Sequence, residues 1–256
     1  ITPSANPAIK AHKPSKNFSA RVITSHIGAP QENLASHLYS ILKPYIEESP
    51  YMCKNSFEFV QELKSIILRP NDKMYSYDAT ALFPSVDIQA ALIHIRKLLN
   101  GDQTLYKRTK LTPAEIIDLI SLCLSSSDFV YNDRHHTTEN SGPIGLSLMV
   151  TVSQMCMSHT MDTAIDLAKE KRIPIPRHIF MYMDDIRNVI NDPPRRPGLR
   201  SNNNAIDPAK ASNDCLNAVN PRVQFTREEE ADGSIAFLDV LITREQNGKL
   251  STKIFR

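Results

Sequence analysis

At 256 residues with 41% hydrophobic content, the chain is long enough to bury a sizeable core across two packed subregions. Thirty Lys and Arg against twenty-eight Asp and Glu leave a net charge of +2, so bulk charge does not announce a nucleic-acid binder and any basic footprint is local. There is no run apolar enough for a transmembrane helix and no signal peptide, so the expectation is an intracellular protein, neither secreted nor membrane-bound.

The N-terminal forty residues begin irregular and basic, with Lys10, Lys13, Lys16 and Arg21, the local footprint that phosphate contacts require. Apolar residues at helical spacing predict helices over Glu32–Ile46 and Ser56–Leu68. Met74 to Tyr77 is strand-like and ends in Asp78; Pro84 then blocks a ladder and turns the chain toward a helix over Ile88–Leu99. Thr112 as cap and Pro113 at the first position start a helix running to Leu124. Phe129–Tyr131 and a polar stretch, with His135 and His136 expected in a loop, lead to the segment containing Gly142 and Gly145. An apolar, Met-rich helix follows over Ser147–Leu167, with His159 expected to be a buried, satisfied histidine rather than a ligand. A proline-bearing connector over 171–177 enters the next hairpin, and 192–210, with Pro193, Pro194, Arg195 and Arg196, is expected to be a flexible loop. A helix over Pro208–Val219 precedes strands at Val223–Glu228 and Phe237–Thr243, with Asp232-Gly233 as the tight turn between them.

The most informative stretch is Tyr182-Met183-Asp184-Asp185, flanked by Ile179, Phe180 and Met181 before and Ile186, Val189 and Ile190 after. Two short β-prone runs around a polar dipeptide predict a hairpin with its carboxylates at the turn, where Asp tolerates unusual backbone angles. Two adjacent acids repel each other and gain nothing from a core. A divalent cation is the simplest reason to hold them together, because Mg²⁺ takes hard carboxylate oxygens. Asp78, at the end of a separate strand, is placed to complete such a site, where two metals about 4 Å apart would clamp an in-line displacement. The plainer alternatives are a solvated Asp-Asp turn and a helix-capping Asp78. The cysteines, Cys53, Cys123, Cys156 and Cys215, are scattered without a C-x-x-C pair, which argues against structural zinc and fits a reducing compartment.

These segments together resemble a reverse transcriptase, most closely of the Penelope-like retroelement branch. Tyr182-Met183-Asp184-Asp185 resembles the Y-x-D-D box, and Tyr77-Asp78-Ala79-Thr80-Ala81-Leu82-Phe83 is similar to the D-V-T-x-L-F segment. Gly142-Pro143-Ile144-Gly145-Leu146-Ser147-Leu148 resembles the glycine-bearing segment that in the family supports template and incoming nucleotide. Gln224-Phe225-Thr226-Arg227-Glu228 with Phe237-Leu238-Asp239-Val240-Leu241-Ile242 resembles F-T-x-E…F-L-D-V-L-I, and His12-Lys13-Pro14 and Ala20-Arg21-Val22-Ile23 resemble H-K-P and R-P-I. Departures include Val22 for proline after the arginine, Leu146-Ser147-Leu148 for S-P-L-S-P, and a charged Arg187 where an apolar strand residue is ordinary.

The resemblance implies an α+β right-hand polymerase: fingers over 1–70, and a palm over 71–256 whose antiparallel sheet packs on helices. A thumb is expected beyond the last residue. It implies RNA-directed DNA synthesis with Mg²⁺, or Mn²⁺ in its place, on an RNA template and DNA primer with deoxynucleoside triphosphates, in the nucleus. Asp78, Asp184 and Asp185 would hold the metals. Ala79 and Phe83 would face the nucleotide, with the Phe83 ring rejecting a 2′-hydroxyl unless it is a core residue beside a proline turn. Arg21 would grip the triphosphate through its planar fork; Lys10 and Lys13 would add point charges or be solvated. Gly142, Gly145, Tyr182 and Met183 would support template and primer. Two alternatives remain: a non-catalytic nucleic-acid-binding retroelement remnant, and an RNA-dependent RNA polymerase.

Overall fold

The computed structural model describes residues 3–9, 20–125, 128–137, 143–192 and 207–255. The chain falls into two compact units, one formed by 1–48 and 81–156, the other by 49–80 and 157–256.

The first unit carries a four-stranded sheet in the order β2-β1-β4-β5, built from β1 (Ser4–Ile9), β2 (Ala20–Ser25), β4 (Asp128–Tyr131) and β5 (Arg134–Thr137). Two corrections follow. The N-terminal segment is not irregular but begins in a strand, and His135 and His136 lie in β5 rather than in a loop. Pro7 is tolerated because β1 pairs along its length with β2 but meets β4 only at Ser4, so few ladder donors are needed on its other edge. The helices of this unit are α1 (Glu32–Glu47), the short α3 (Leu82–Ser85), α4 (Ile88–Gly101) and α5 (Pro113–Ser125). Both α1 and α4 pack on α5, burying Leu38, Ile41, Ile95, Leu99, Ile116 and Ile120. Thr112 and Glu115 form a reciprocal cap at the start of α5: each side chain accepts the other's backbone N–H, at 3.3 and 2.7 Å.

The second unit is built on an antiparallel sheet in the order β6-β7-β3-β8: β6 (His178–Tyr182), β7 (Asp185–Asn191), β3 (Asp72–Thr80) and β8 (Gln224–Glu229). A second sheet, β11-β10-β9, comprises β9 (Ser234–Phe237), β10 (Val240–Arg244) and β11 (Leu250–Ile254). Between them, Phe59 of α2 (Ser56–Leu63) meets the rings of Phe180 and Phe237 edge-on at 5.1 and 4.8 Å. Leu63, Met74, Val189, Ile235 and Ile242 complete this core. On the sheet's other side, α7 (Pro208–Val219) is capped by Asp207 and receives the Tyr77 hydroxyl on the Ala209 carbonyl at 3.1 Å. Burial pushes the Tyr77 pKa up to about 12.

The strands at Val223–Glu228 and Phe237–Thr243, which the sequence predicts as hairpin partners, do not pair: β8 pairs with β3, and β10 pairs with β9 and β11. Asp232 and Gly233 do form a tight turn with positive φ, 50° and 71°, but it carries the chain from one sheet into the other. The long helix α6 (Ser147–Glu170) exposes His159, so the expected buried histidine is a surface residue. Of the loop expected over 192–210, residues 193–206 lie outside the described residues, and Pro208 to Lys210 belong to α7 instead. No helix among the described residues is long and apolar enough to cross a membrane.

Candidate active site

The acids are brought together by strand register. β3 and β7 run antiparallel with Met74 opposite Val189, Ser76 opposite Arg187 and Asp78 opposite Asp185. Asp185 in turn faces Tyr182 on β6, and Asp78 faces Thr226 on β8. Because alternate residues share a face, the row Tyr182–Asp185–Asp78–Thr226 crosses the end of the sheet on the face that carries the aromatic core. Asp184 lies in the turn just beyond this row, and its carbonyl accepts the Ala79 amide at 3.1 Å. Asp78, Asp184 and Asp185 are all half-buried. β6 is flanked by the 51–53 segment, where the Met181 amide donates to Tyr51 and the Cys53 amide to Met181, at 2.7 and 2.9 Å. The hairpin is therefore braced on both sides.

The turn is strained, and at Met183 rather than at an aspartate. Met183 has φ of 54°, in the left-handed region, and Asp184 and Asp185 do not; the expectation that the Asp pair absorbs the unusual angles is corrected. A non-glycine residue held there costs about 1–3 kcal/mol, and such strain clusters at functional sites. Ala81 and Leu238 share this conformation, each with φ of 54°. Ala81 redirects the chain immediately after β3 into α3, which carries the half-buried Phe83.

Like charges directly opposite on a sheet are destabilising, so the Asp78–Asp185 row is not built for stability. Among the described residues no group of three or more Asp, Glu, His or Cys side chains is placed to hold a metal ion by itself. Mg²⁺ does not need one, since it retains several waters and uses one or two carboxylates together with substrate phosphates. Asp78 and Asp185 face each other and Asp184 lies at the turn, and carboxylate oxygens are the donor type that Mg²⁺ takes.

The other sequence-derived residues stand as follows. Arg21 is in β2 opposite Ala8. Lys10, Lys13 and Gly142 lie outside the described residues. Gly145 has φ of 120°, and a Cβ there would fall 2.0 Å from the Thr24 carbonyl oxygen. The Thr24 amide and hydroxyl both donate to the Ile144 carbonyl, at 2.7 and 2.9 Å. The close approach that this glycine permits is thus made by β2 of its own unit. Tyr182 packs against the aromatic core, and Ala79 is buried in β3.

Sequence reasoning noticed Arg187 only as a departure. It is 1% exposed, donates to the Ala236 carbonyl, and lies over the Phe237 ring with its guanidinium carbon 5.6 Å from the centroid. Burial lowers its pKa, opposed by Glu230, Glu228 and Asp185. A charge between Ile186 and Asn188 in a strand whose central residues are all buried is the signal that marks it.

No protein-family model matches the sequence, and no curated protein matches it. The fold does match solved structures. Telomerase from Candida albicans, in a complex with a fragment of telomeric RNA, superposes with a TM-score of 0.69 at 11% identity, over 99% of this chain and 47% of that one. Telomerase from Candida tropicalis gives 0.64 at 9% identity, covering 98% and 54%. The RNA-dependent RNA polymerase of BmCPV gives 0.57 at 14% identity, covering 98% and 22%. The chain therefore spans about half the length of these telomerases and about a fifth of the viral polymerase. Together with its mixed helices and antiparallel sheets, this gives the chain an α+β fold of the right-hand polymerase type. That fold is common to the telomerases and the viral RNA polymerase that the chain superposes on.

Proposed function

We propose that the chain is the polymerase core of an RNA-directed DNA polymerase, of the Penelope-like retroelement branch that its sequence segments resemble. The observation that carries this reading is the facing of Asp78 and Asp185 across β3 and β7, with Asp184 tied to Ala79, on a fold of the right-hand polymerase type. Bound Mg²⁺ would neutralise developing charge on the attacking and leaving oxygens of an in-line displacement. The three carboxylates would hold the cations, and the braced hairpin would fix their spacing. Catalysis of this kind rests on positioning and electrostatics rather than on covalent chemistry from the protein. Phe83, on the helix that follows β3, would exclude ribonucleotides by contact with the 2′-position. RNA template, DNA primer and deoxynucleoside triphosphates are the partners of this reading, and a nuclear location follows from the retroelement resemblance.

The viral neighbours favour one rival, RNA-dependent RNA synthesis. Primer extension on an RNA template separates the two. Incorporation of deoxynucleotides in preference to ribonucleotides, dependent on Mg²⁺ and lost in Asp184→Ala, supports the proposal. Preference for ribonucleotides would establish the rival. Template binding without extension would leave a nucleic-acid-binding remnant.

A further inference from the structure

We propose that Arg187 is a positioning residue: its buried guanidinium clamps β9 onto β7 one pleat behind the acidic row and so sets the height of Asp185 and Asp78 at the sheet's end. The inference rests on the polymerase reading above and adds to it a component outside the acids themselves.

The register places it. Phe180, Arg187, Ser76 and Glu228 form the row next to Tyr182, Asp185, Asp78 and Thr226. Arg187 and Asp185 are two residues apart on one strand, so their side chains leave the same face about 7 Å apart. That face is covered by β9, whose Ala236 carbonyl accepts from Arg187 Nη2 and whose Phe237 ring lies against the guanidinium. Phe237 also contacts Phe59. A single side chain thus links the catalytic hairpin to the second sheet and to the core between them. Leu238, next in the chain, has the left-handed φ of 54° that turns β9 into β10, so the clamp grips the hairpin beside its tightest point.

Stability alone does not favour this choice. Among the described residues, Nε and Nη1 of Arg187 have no hydrogen-bond partner. An apolar residue in its place would remove the two unpaired donors and leave the Ala236 carbonyl unpaired instead. The planar, stackable guanidinium does what an apolar residue cannot: it bonds a carbonyl and packs on a ring at once.

The test compares Arg187→Met, Arg187→Lys and Phe237→Leu with the parent protein, using thermal melting, amide hydrogen exchange and steady-state primer extension. Arg187→Met is expected to stay folded and melt close to the parent's temperature, since it trades two unpaired donors for one unpaired carbonyl. Its amides at Asp185 and Ile186 should exchange about tenfold faster. Its kcat should fall on the order of a hundredfold, the cost of misplacing reacting groups by about 1 Å, with KM for the nucleotide within about twofold. Arg187→Lys keeps charge but loses the plane, and is expected to remain impaired; full recovery of kcat would overturn the clamp in favour of charge alone. Unchanged exchange and kcat in a folded Arg187→Met would also overturn it. If Arg187→Met does not fold, Phe237→Leu decides: intermediate losses in both readouts support the clamp, and none removes it. The two readings fail separately, since a parent protein that extends no primer removes the polymerase reading while hydrogen exchange still judges the clamp.

Discussion

The Ala79 amide donates to the Asp184 carbonyl at 3.1 Å, one bond beyond the facing pair of Asp78 and Asp185. The turn that carries the acids is therefore held to β3 through main-chain atoms, independently of what the acid side chains bind. This main-chain tie remains when the Asp184 side chain is replaced.

Asp184→Ala is accordingly expected to leave the melting temperature and RNA–DNA binding close to the parent's while lowering kcat by at least about 100-fold, the scale on which removal of one charge-stabilising group acts. Single-turnover extension and filter binding on the same preparations measure both. Retained synthesis would remove the acidic turn from the catalytic centre.

Phe83→Ala should relax sugar selectivity. The ratio of kcat/KM for deoxynucleotides over ribonucleotides is expected to fall on the order of tenfold to a hundredfold, the range that shape contacts in a pocket supply. Competition between the two nucleotides on one template reads it directly. An unchanged ratio would assign Phe83, half-buried on α3, to packing alone.

What the sequence showed best was local. The hairpin around Met183 and Asp184 is legible because Ile179 to Met181 and Ile186 to Ile190 are β-prone runs of ordinary strand length about a turn. The helix over Pro208–Val219 has the observed bounds because Asp207 and Pro208 punctuate its start. Partner choice was not legible. The residues of β8 alternate no differently from those of a hairpin strand, and only the fold shows them beside β3. The run from Phe237 to Ile242 reads as one strand, yet Leu238 turns left-handed and breaks it into β9 and β10. No local rule anticipates that a leucine takes that conformation. Arg187 was visible as a misplaced charge, but its contacts with Ala236 and Phe237 depend on the same unforeseen pairing.

The glycines provide a paired test of the first unit. Gly145→Ala combines φ of 120° with a Cβ 2.0 Å from the Thr24 oxygen, so the strand and the segment before α6 must separate. A loss of at least about 1–3 kcal/mol is expected from the backbone conformation alone. Gly101 ends α4 with open space around its missing Cβ, and Gly101→Ala should stabilise by about 0.4–1 kcal/mol. Urea unfolding of both variants measures the contrast. Equal effects would show that the Thr24 contact yields easily.

A second network in the first unit predicts how stability depends on pH. The Asp102 carboxylate accepts the Tyr45 hydroxyl at 2.6 Å and the Thr104 amide and hydroxyl at 2.7 Å each, and pairs with Arg108. The Tyr45 bond, then those from Thr104 and Arg108, hold the Asp102 pKa well below the usual carboxylate range, with burial opposing them. Burial and the same carboxylate push the Tyr45 hydroxyl above its ordinary value. A carboxylate whose pKa is lowered by folding binds protons less readily in the native state than in the unfolded one. Its stabilisation is complete above the unfolded pKa of about 4 and is lost as pH falls toward the folded value. Asp102→Asn removes that dependence. The parent should therefore melt higher than the variant at pH 7, with the gap narrowing steadily from about pH 4 down to pH 2. Melting curves across that range test it, and a gap that stays constant to pH 2 would show that Asp102 is not ionised in this network.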